Sequence, residues 1–515
     1  MRVLLVRPPK YLWPYMNEQD NYLLPQAIVY LGAEARRRGH AVTLIDCLPS
    51  RLGWRGLERT IRELQPQVVC AGDSETLYQH ESGRVFRLAK SIDPHIFTVA
   101  GGVHFSHACD HAFANYPIDA IVRGEGERTF GELLDTLAGG GEVSDVAGLA
   151  LPDGGGGMRY TARRELIANL DDLPFPAYDL LPMERYGAAR YLFSPGGVTM
   201  HHSRGCVDGC AYCACWLQMA RRDGEPPGET LRPRWRTRSV GPVVDEMETL
   251  RRRYGKSCIV FVDDTWNVEP RWSDAFADAL LRRPLDVVWF AFMRADLLAR
   301  DEESGLFAKL MRAGLTHICI GMERADDAEL RELRKHNIQV DRTTALVRKL
   351  RKKYPSLFLQ TTFIVGLPQD TPESLDRLLA YVESIDPDYP AFHPLTPVPG
   401  TALWNEAQRD GRLEITDFTR YDWMTPVMRT DAMTRAELEY KIWQMNSRYL
   451  NPWRILRGVL SPHTYRRRMY LWWLLVSLRV GWDYVLDRVR PSRSTRRKTQ
   501  LSDYVGMVKP DWYDQ

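Results

Sequence analysis

The feature that most constrains the fold is an alternation of short apolar runs with helical patterns, met twice along the chain. In the first series the runs are Arg2–Val6, Ala41–Ile45, Val68–Ala71, Phe97–Ala100 and Ala120–Val122, with helices expected over Gln26–Arg38, Trp54–Leu64, Glu81–Ile92 and Thr129–Leu137. Each run is short and apolar, as a strand buried on both faces should be, so a doubly wound, Rossmann-like α/β domain is expected over residues 1–137. The second series places strands at Val198–His202, Cys258–Val262, Val287–Phe292, His317–Gly321, Phe358–Val365 and Ala391–Thr396. Helices at Val240–Tyr254, Trp272–Leu281, Glu303–Ala313, Asp327–Lys335, Arg342–Lys353 and Pro372–Ser384 separate them. Six βα units over residues 191–400 fit a partial or complete parallel barrel of TIM type, whose site lies at the C-terminal strand ends. The glycine- and proline-punctuated stretch 138–190 reads as a linker, and 401–515 as a helical C-terminal region.

A formal net charge of +3 on 515 residues is too small to imply a global nucleic-acid or membrane role. The start runs straight into a strand pattern and Pro8-Pro9, unlike a signal peptide, and no stretch reaches the roughly 20 apolar residues of a membrane span. A cytoplasmic protein is expected, where clustered cysteines indicate metal or redox chemistry more than disulfides.

One such cluster follows the first barrel strand: His202-Ser-Arg-Gly-Cys206-Val-Asp-Gly-Cys210-Ala-Tyr-Cys213. Thiolates at this C-x3-C-x2-C spacing can converge on a small soft-metal cluster, and three ligands for four irons leave one iron open. A structural zinc with Cys215 or His202 as fourth ligand is the alternative. With the aromatic Tyr212 before the last cysteine, the motif resembles the signature of the radical S-adenosylmethionine (SAM) superfamily. The resemblance implies a [4Fe–4S] cluster on Cys206, Cys210 and Cys213, whose open iron holds SAM for reductive cleavage to a 5′-deoxyadenosyl radical. It further implies SAM contacts from Tyr212, from Asp263 and Asp264 after the second strand, and from Arg294 after the third. Glu323 after the fourth strand, and Gln360 and Gly366 of the fifth strand and its turn, complete that set. A flavodoxin- or ferredoxin-type electron donor is implied as well.

Doubly wound sheets bind ligands at their C-terminal strand ends. There the chain carries Gly72-Asp-Ser74-Glu75-Thr76-Leu77, Gly101-Gly102-Val-His104 and Arg123-Gly124-Glu125-Gly126-Glu127. Glycines let the backbone approach a bulky ligand, and hydroxyls supply hydrogen bonds. In this order, ahead of such a barrel, the loops resemble the cobalamin-binding domain of the B12-dependent radical SAM branch. Cobalamin contacts are then implied for Ser74, Glu75, Thr76, Leu77, Gly101, Gly102, His104, Gly124, Glu125 and Gly126. The D-x-H-x-x-G element that supplies an axial histidine in the wider family is absent, with Arg7-Pro8-Pro9-Lys10 in its place. Cobalt is therefore expected to have no protein histidine below it and Glu75–Tyr78 near that face; ligation by His40 or His104 is the minor alternative.

Methyl transfer to an unactivated carbon is the leading expectation from this resemblance. Oxidative cyclisation of a tetrapyrrole is the runner-up, and a cobalamin- or redox-responsive binding protein without catalysis the third. A small-molecule substrate, hydrophobic or aromatic in keeping with the tail, is expected. Residues 451–500 hold 12 Lys and Arg around Met469-Tyr-Leu-Trp-Trp-Leu-Leu-Val-Ser-Leu. Such a helix suits packing on the barrel with a solvated basic face, the preferred reading, or peripheral contact with an anionic membrane. No appended RNA-binding module is recognised, which argues against a nucleic-acid partner.

Overall fold

The computed structural model describes residues 1–10, 23–72, 75–187, 196–225, 228–336, 338–489 and 512–515. The first sheet contains β1 (Arg2–Arg7), β2 (Ala41–Asp46), β3 (Val68–Gly72), β4 (Phe97–Gly101), β5 (Ala120–Val122), β6 (Leu149–Pro152) and β7 (Met158–Tyr160), in the order β2-β1-β3-β4-β5-β6-β7. β1 to β5 are parallel. Alternate residues of β1 feed cores on opposite faces: Val3 and Leu5 join Ile28 and Val29, whereas Leu4 and Val6 join Trp54 and Leu57. That is why these runs are apolar throughout.

β6 and β7 extend the sheet antiparallel, which corrects the reading of 138–190 as a plain linker. The glycine run is a hairpin turn: Asp153 Oδ1 accepts from the amides of Gly155 (2.8 Å) and Gly157 (2.9 Å). Gly154 and Gly156 take the positive φ this turn requires.

The second sheet starts with β8 (Gly197–Met200). The short pairs β9 (Ser203–Arg204), β10 (Arg221–Asp223), β11 (Thr230–Arg232) and β12 (Arg236–Thr237) follow, then β13 (Cys258–Phe261), β14 (Val288–Met293), β15 (Leu315–Glu323), β16 (Phe358–Val365) and β17 (Tyr389–Pro394). Its order is β17-β16-β15-β14-β13-β8, all neighbours parallel, with β8 and β17 at the edges: a partial barrel. The helix expected over Glu303–Ala313 is the shorter Leu306–Arg312, which begins after Gly305 at φ +80°, and a helix the sequence did not announce, Ala295–Glu303, precedes it.

The long C-terminal helix Thr464–Val489 closes the N-terminal end of this barrel. Arg466 pairs with Asp388 (2.8 Å) and donates to the Leu357 carbonyl (2.9 Å), while Met469, Tyr470 and Trp473 pack on Phe358. Among the described residues no helix is long and apolar enough to cross a membrane.

Candidate functional site

Cys206, Cys210 and Cys213 lie partly buried on the loop after β9. The Asp208 amide donates to Cys206 Sγ at 3.4 Å, and Thr265 Oγ1 lies 3.2 Å from the same sulfur. Trp216 Nε1 (3.3 Å) and the Cys213 amide (3.2 Å) donate to the Cys210 carbonyl. Backbone bonds tie Ala211 to Leu333 and Leu403, both at 3.0 Å, so the loop is fixed on two sides. Burial pushes the Cys206 and Cys210 thiols up, Cys210 to about 12, and a hydrogen bond with Cys215, then burial, raises Cys213, so all three are neutral until a cation offsets the lost hydration.

Of the two fourth ligands that the zinc alternative offers, Cys215 hydrogen-bonds Cys213, whereas His202 is held elsewhere. Cys215 is exposed, and the His202 ring lies 4.0 Å from the Trp272 ring, with Nδ1 2.8 Å from Asp263. Among the described residues no group of three His, Cys, Asp or Glu is arranged to hold one metal ion. A cluster that takes one thiolate per iron does not require that convergence.

Around the cysteines, some expected SAM-side residues face the loop and others are engaged elsewhere. Asp264 is half-buried beside Cys206 and Cys213, and burial plus Asp263 push it up to about 7. Glu323 ends β15 at φ +62°, accepts from Lys335 Nζ at 2.7 Å, and adjoins Tyr212. Gly366, at φ +85°, opens a turn in which Asp370 accepts from the Gly366 (2.8 Å) and Leu367 (2.9 Å) amides and pairs with Arg324 (2.7 Å).

Three of the expected residues make protein contacts of their own. Asp263 Oδ1 accepts from the His202 amide (3.1 Å) and Ser203 Oγ (2.6 Å), which holds the strand that leads into the cluster loop. Arg294 is shared between Asp296 (2.8 Å) and Asp208 of the cluster loop. Gln360 is the third residue of β16, near the closed end of the barrel, and its Oε1 lies 3.2 Å from His317 Nε2.

At the other sheet, Thr76–Tyr78 form a buried turn of 3-10 helix after β3, with Glu75 before it; Ser74 lies outside the described residues. A Cβ on Gly72 would overlap the Gly101 carbonyl, and Gly102 takes φ +99°, so two neighbouring strand ends present bare backbone. His104 is 1% exposed, and neither ring nitrogen meets a hydrogen-bond partner among the described residues. Burial, then His111, lowers its pKa to about 3, so the imidazole is neutral. His40 is remote from these loops, bonded to the N-terminal amine (3.2 Å) and Asp135 (3.1 Å).

The third loop joins the two sheets. Gln218, just after the cysteines, donates to the Gly124 carbonyl at 2.6 Å. Arg204, two residues before Cys206, pairs with Glu125 (3.1 Å) and Glu127 (2.6 Å), and Arg236 pairs with Glu125 (2.7 Å). The Glu125 carboxylate, expected on cobalamin, is consumed by these buried pairs; Gly126 starts the helix Gly126–Gly139. Lys335, Gln218, Arg204 and Arg236 escaped the sequence reading because their partners are distant in the chain. The C-terminal region reaches the same place, where Phe418 packs 4.8 Å from the His104 ring.

A family model described as the radical SAM superfamily matches residues 200–382, and one described as a B12 binding domain matches 13–134. The uncharacterized methyltransferase PH0819 of Pyrococcus horikoshii is 31% identical over 466 residues, covering 90% of this chain and 95% of that protein. The chain belongs to the B12-dependent radical SAM family. An anaerobic magnesium-protoporphyrin IX monomethyl ester cyclase of Rubrivivax gelatinosus is 26% identical over 95% of this chain and 85% of its own. The solved structure of the cobalamin-dependent SAM radical enzyme OxsB, with aqua-cobalamin and SAM bound, has the same fold: TM-score 0.70, 16% identity, 98% of this chain and 75% of that one. This B12-dependent radical SAM enzyme therefore uses a [4Fe–4S] cluster, SAM and cobalamin. Its residues fit them: three thiols on one loop with an amide donating to sulfur, and bare glycine backbone beside a buried imidazole with open nitrogens.

Proposed function

We propose that this enzyme methylates an unactivated carbon of a small hydrophobic or aromatic molecule, in the cytoplasm, with electrons from a flavodoxin- or ferredoxin-type donor. We assign Cys206, Cys210 and Cys213 to the cluster, and Tyr212, Asp264, Glu323 and Gly366 to the SAM side. Glu75, Thr76, Leu77, Gly101, Gly102, His104 and Gly124 are assigned to cobalamin. The observation that carries the reading is the tie from Arg204 and Gln218 of the cluster loop to Gly124, Glu125 and Glu127 of the opposite sheet. It supports one space shared by the C-terminal ends of both sheets, where a substrate can meet both cofactors. When bound, the cluster with SAM supplies a hydrogen-abstracting radical, and cobalamin a transferable methyl group.

The chain's own contribution is positional. Asp263 and Arg294 hold the cluster loop from β13 and β14, and Lys335 holds the Glu323 carboxylate beside Tyr212. Such fixing matters because an unplaced radical reacts unselectively.

The relation to the Rubrivivax cyclase keeps a second reading, oxidative cyclisation on the same cofactors. The mass of the product formed by anaerobically reconstituted enzyme separates them. A gain of about 14 Da per methyl supports transfer, and a loss of hydrogen or gain of oxygen without added carbon supports cyclisation.

A further inference from the structure

Among the described residues, the C-terminal helices present an exposed apolar surface at the closed end of the barrel. On Pro452–Val459 and just beyond it, Trp453 (79% exposed), Leu456 and Leu460 (72%) follow helical spacing on the side away from the buried Ile455 and Gly458. On Thr464–Val489, Leu471, Leu475, Leu478 (62%) and Trp482 (63%) form a second outward row, opposite Met469, Tyr470, Trp472 and Trp473. The two helices are packed together: a Cβ on Gly458 would overlap the Tyr470 ring. Single exposed leucines are ordinary, but adjacent rows on neighbouring helices mark a docking face.

Charge identifies the occupant. Residues 451–500 carry 12 Lys and Arg against Asp483 and Asp487, and although Arg454, Arg457 and Arg466 pair with Asp386 and Asp388, the segment stays basic while the rest of a chain of only +3 is net acidic. Arg467 and Arg468 are exposed at four and three residues before Leu471, beside the apolar row. A second copy would bring like charge against like. An acidic electron carrier must approach the cysteines, which lie at the other end of the strands. Tyr465 bonds His317 (3.0 Å) and Tyr470 bonds the Asp388 carbonyl (3.0 Å), both near the N-terminal strand ends. Exposed Trp and Leu flanked by arginine match the headgroup region of a bilayer, which offers negative charge at its surface and hydrocarbon just beneath.

We propose that the outward faces of these two helices dock the enzyme on an anionic lipid surface. Full-length enzyme, reconstituted with its cofactors, would be sedimented with vesicles of phosphatidylcholine alone or mixed with phosphatidylglycerol. Binding is expected to the mixed vesicles, weakened by salt, and reduced about tenfold or more by Leu478→Glu with Trp482→Glu. Unchanged circular dichroism would confirm that this variant folds. In the unaltered chain, brominated phosphatidylglycerol should quench a part of the tryptophan fluorescence that Trp453→Phe with Trp482→Phe removes. The proposal is overturned by the absence of vesicle binding and quenching. Binding that ignores lipid charge and both variants would overturn it too, as would self-association without lipid that the Glu variant abolishes.

Discussion

Single atoms decide the fit around Glu323. Its backbone at φ +62° is a conformation that costs a non-glycine residue about 1–3 kcal/mol, and the Lys335 contact at 2.7 Å holds it there. A Cβ on Gly321 would overlap Glu323 Oε1 and lie 2.7 Å from Lys335 Nζ. Gly321→Ala is therefore expected to displace the carboxylate and slow SAM cleavage about a hundredfold, with iron content after reconstitution unchanged. Buried histidines set a pH limit. Burial lowers His317 to about 3, and likewise His104 and His107. The unfolded chain binds protons at these sites below about pH 6.5, which the folded chain refuses. Stability is thus fully present above that pH and is lost as pH falls toward 3, by up to about 1.4 kcal/mol per unit per histidine. Melting temperatures between about pH 6.5 and pH 4 should fall steeply, and less so in His317→Gln. At this scale the cysteines were legible because all three lie within one short loop, Cys206–Cys213. Arg204 was not, because its partner Glu127 is 77 residues away and a lone arginine carries no local sign of it.

Between elements, the bond from the cluster loop to the Gly124–Glu127 loop carries most of the organisation. Arg204 and Arg236 are both buried with Glu125, so removing one cation strands a buried carboxylate. Arg204→Met should cost about 3–5 kcal/mol in urea unfolding, whereas replacing Glu127 as well should recover part of the loss. The helix Thr464–Val489 has an equally specific duty at the barrel's closed end. Ending the chain before Thr464 would expose Phe358 and Tyr389, and a lower melting temperature with aggregation is expected in light scattering. Strand and helix order was readable here because both sheets bury two faces, which forces apolar runs of a kind loops do not show. The hairpin of β6 and β7 was not, since a glycine-rich turn and a glycine-rich linker look alike until the strand they join has a partner. The helix Ala295–Glu303 was missed as well, because its charged stretch Arg300–Glu303 masks the short apolar face of Ala295 and Leu298.

At the scale of the whole molecule, two sheets built on parallel strands from different parts of the chain are tied together through the loops at their C-terminal ends. That arrangement explains why loops of modest individual specificity, Gly72–Leu77 and Gly101–His104, gain meaning only beside the cysteine loop. It also separates two faces, with the cysteine loop at one end of the barrel and an apolar, basic pair of helices at the other. The central claim, that one chain serves both a SAM-cleaving cluster and a cobalamin, is tested without knowing the substrate. Enzyme reconstituted anaerobically with iron, sulfide and cobalamin would be given reductant and SAM labelled in its methyl group, and the products resolved by mass. 5′-Deoxyadenosine is expected together with S-adenosylhomocysteine and label on the extracted cobalamin, with 5′-deoxyadenosine lost in Cys210→Ala. Cluster-loaded, cobalamin-loaded enzyme that yields neither 5′-deoxyadenosine nor labelled cobalamin, or a Cys210→Ala protein as active as the parent, would contradict it.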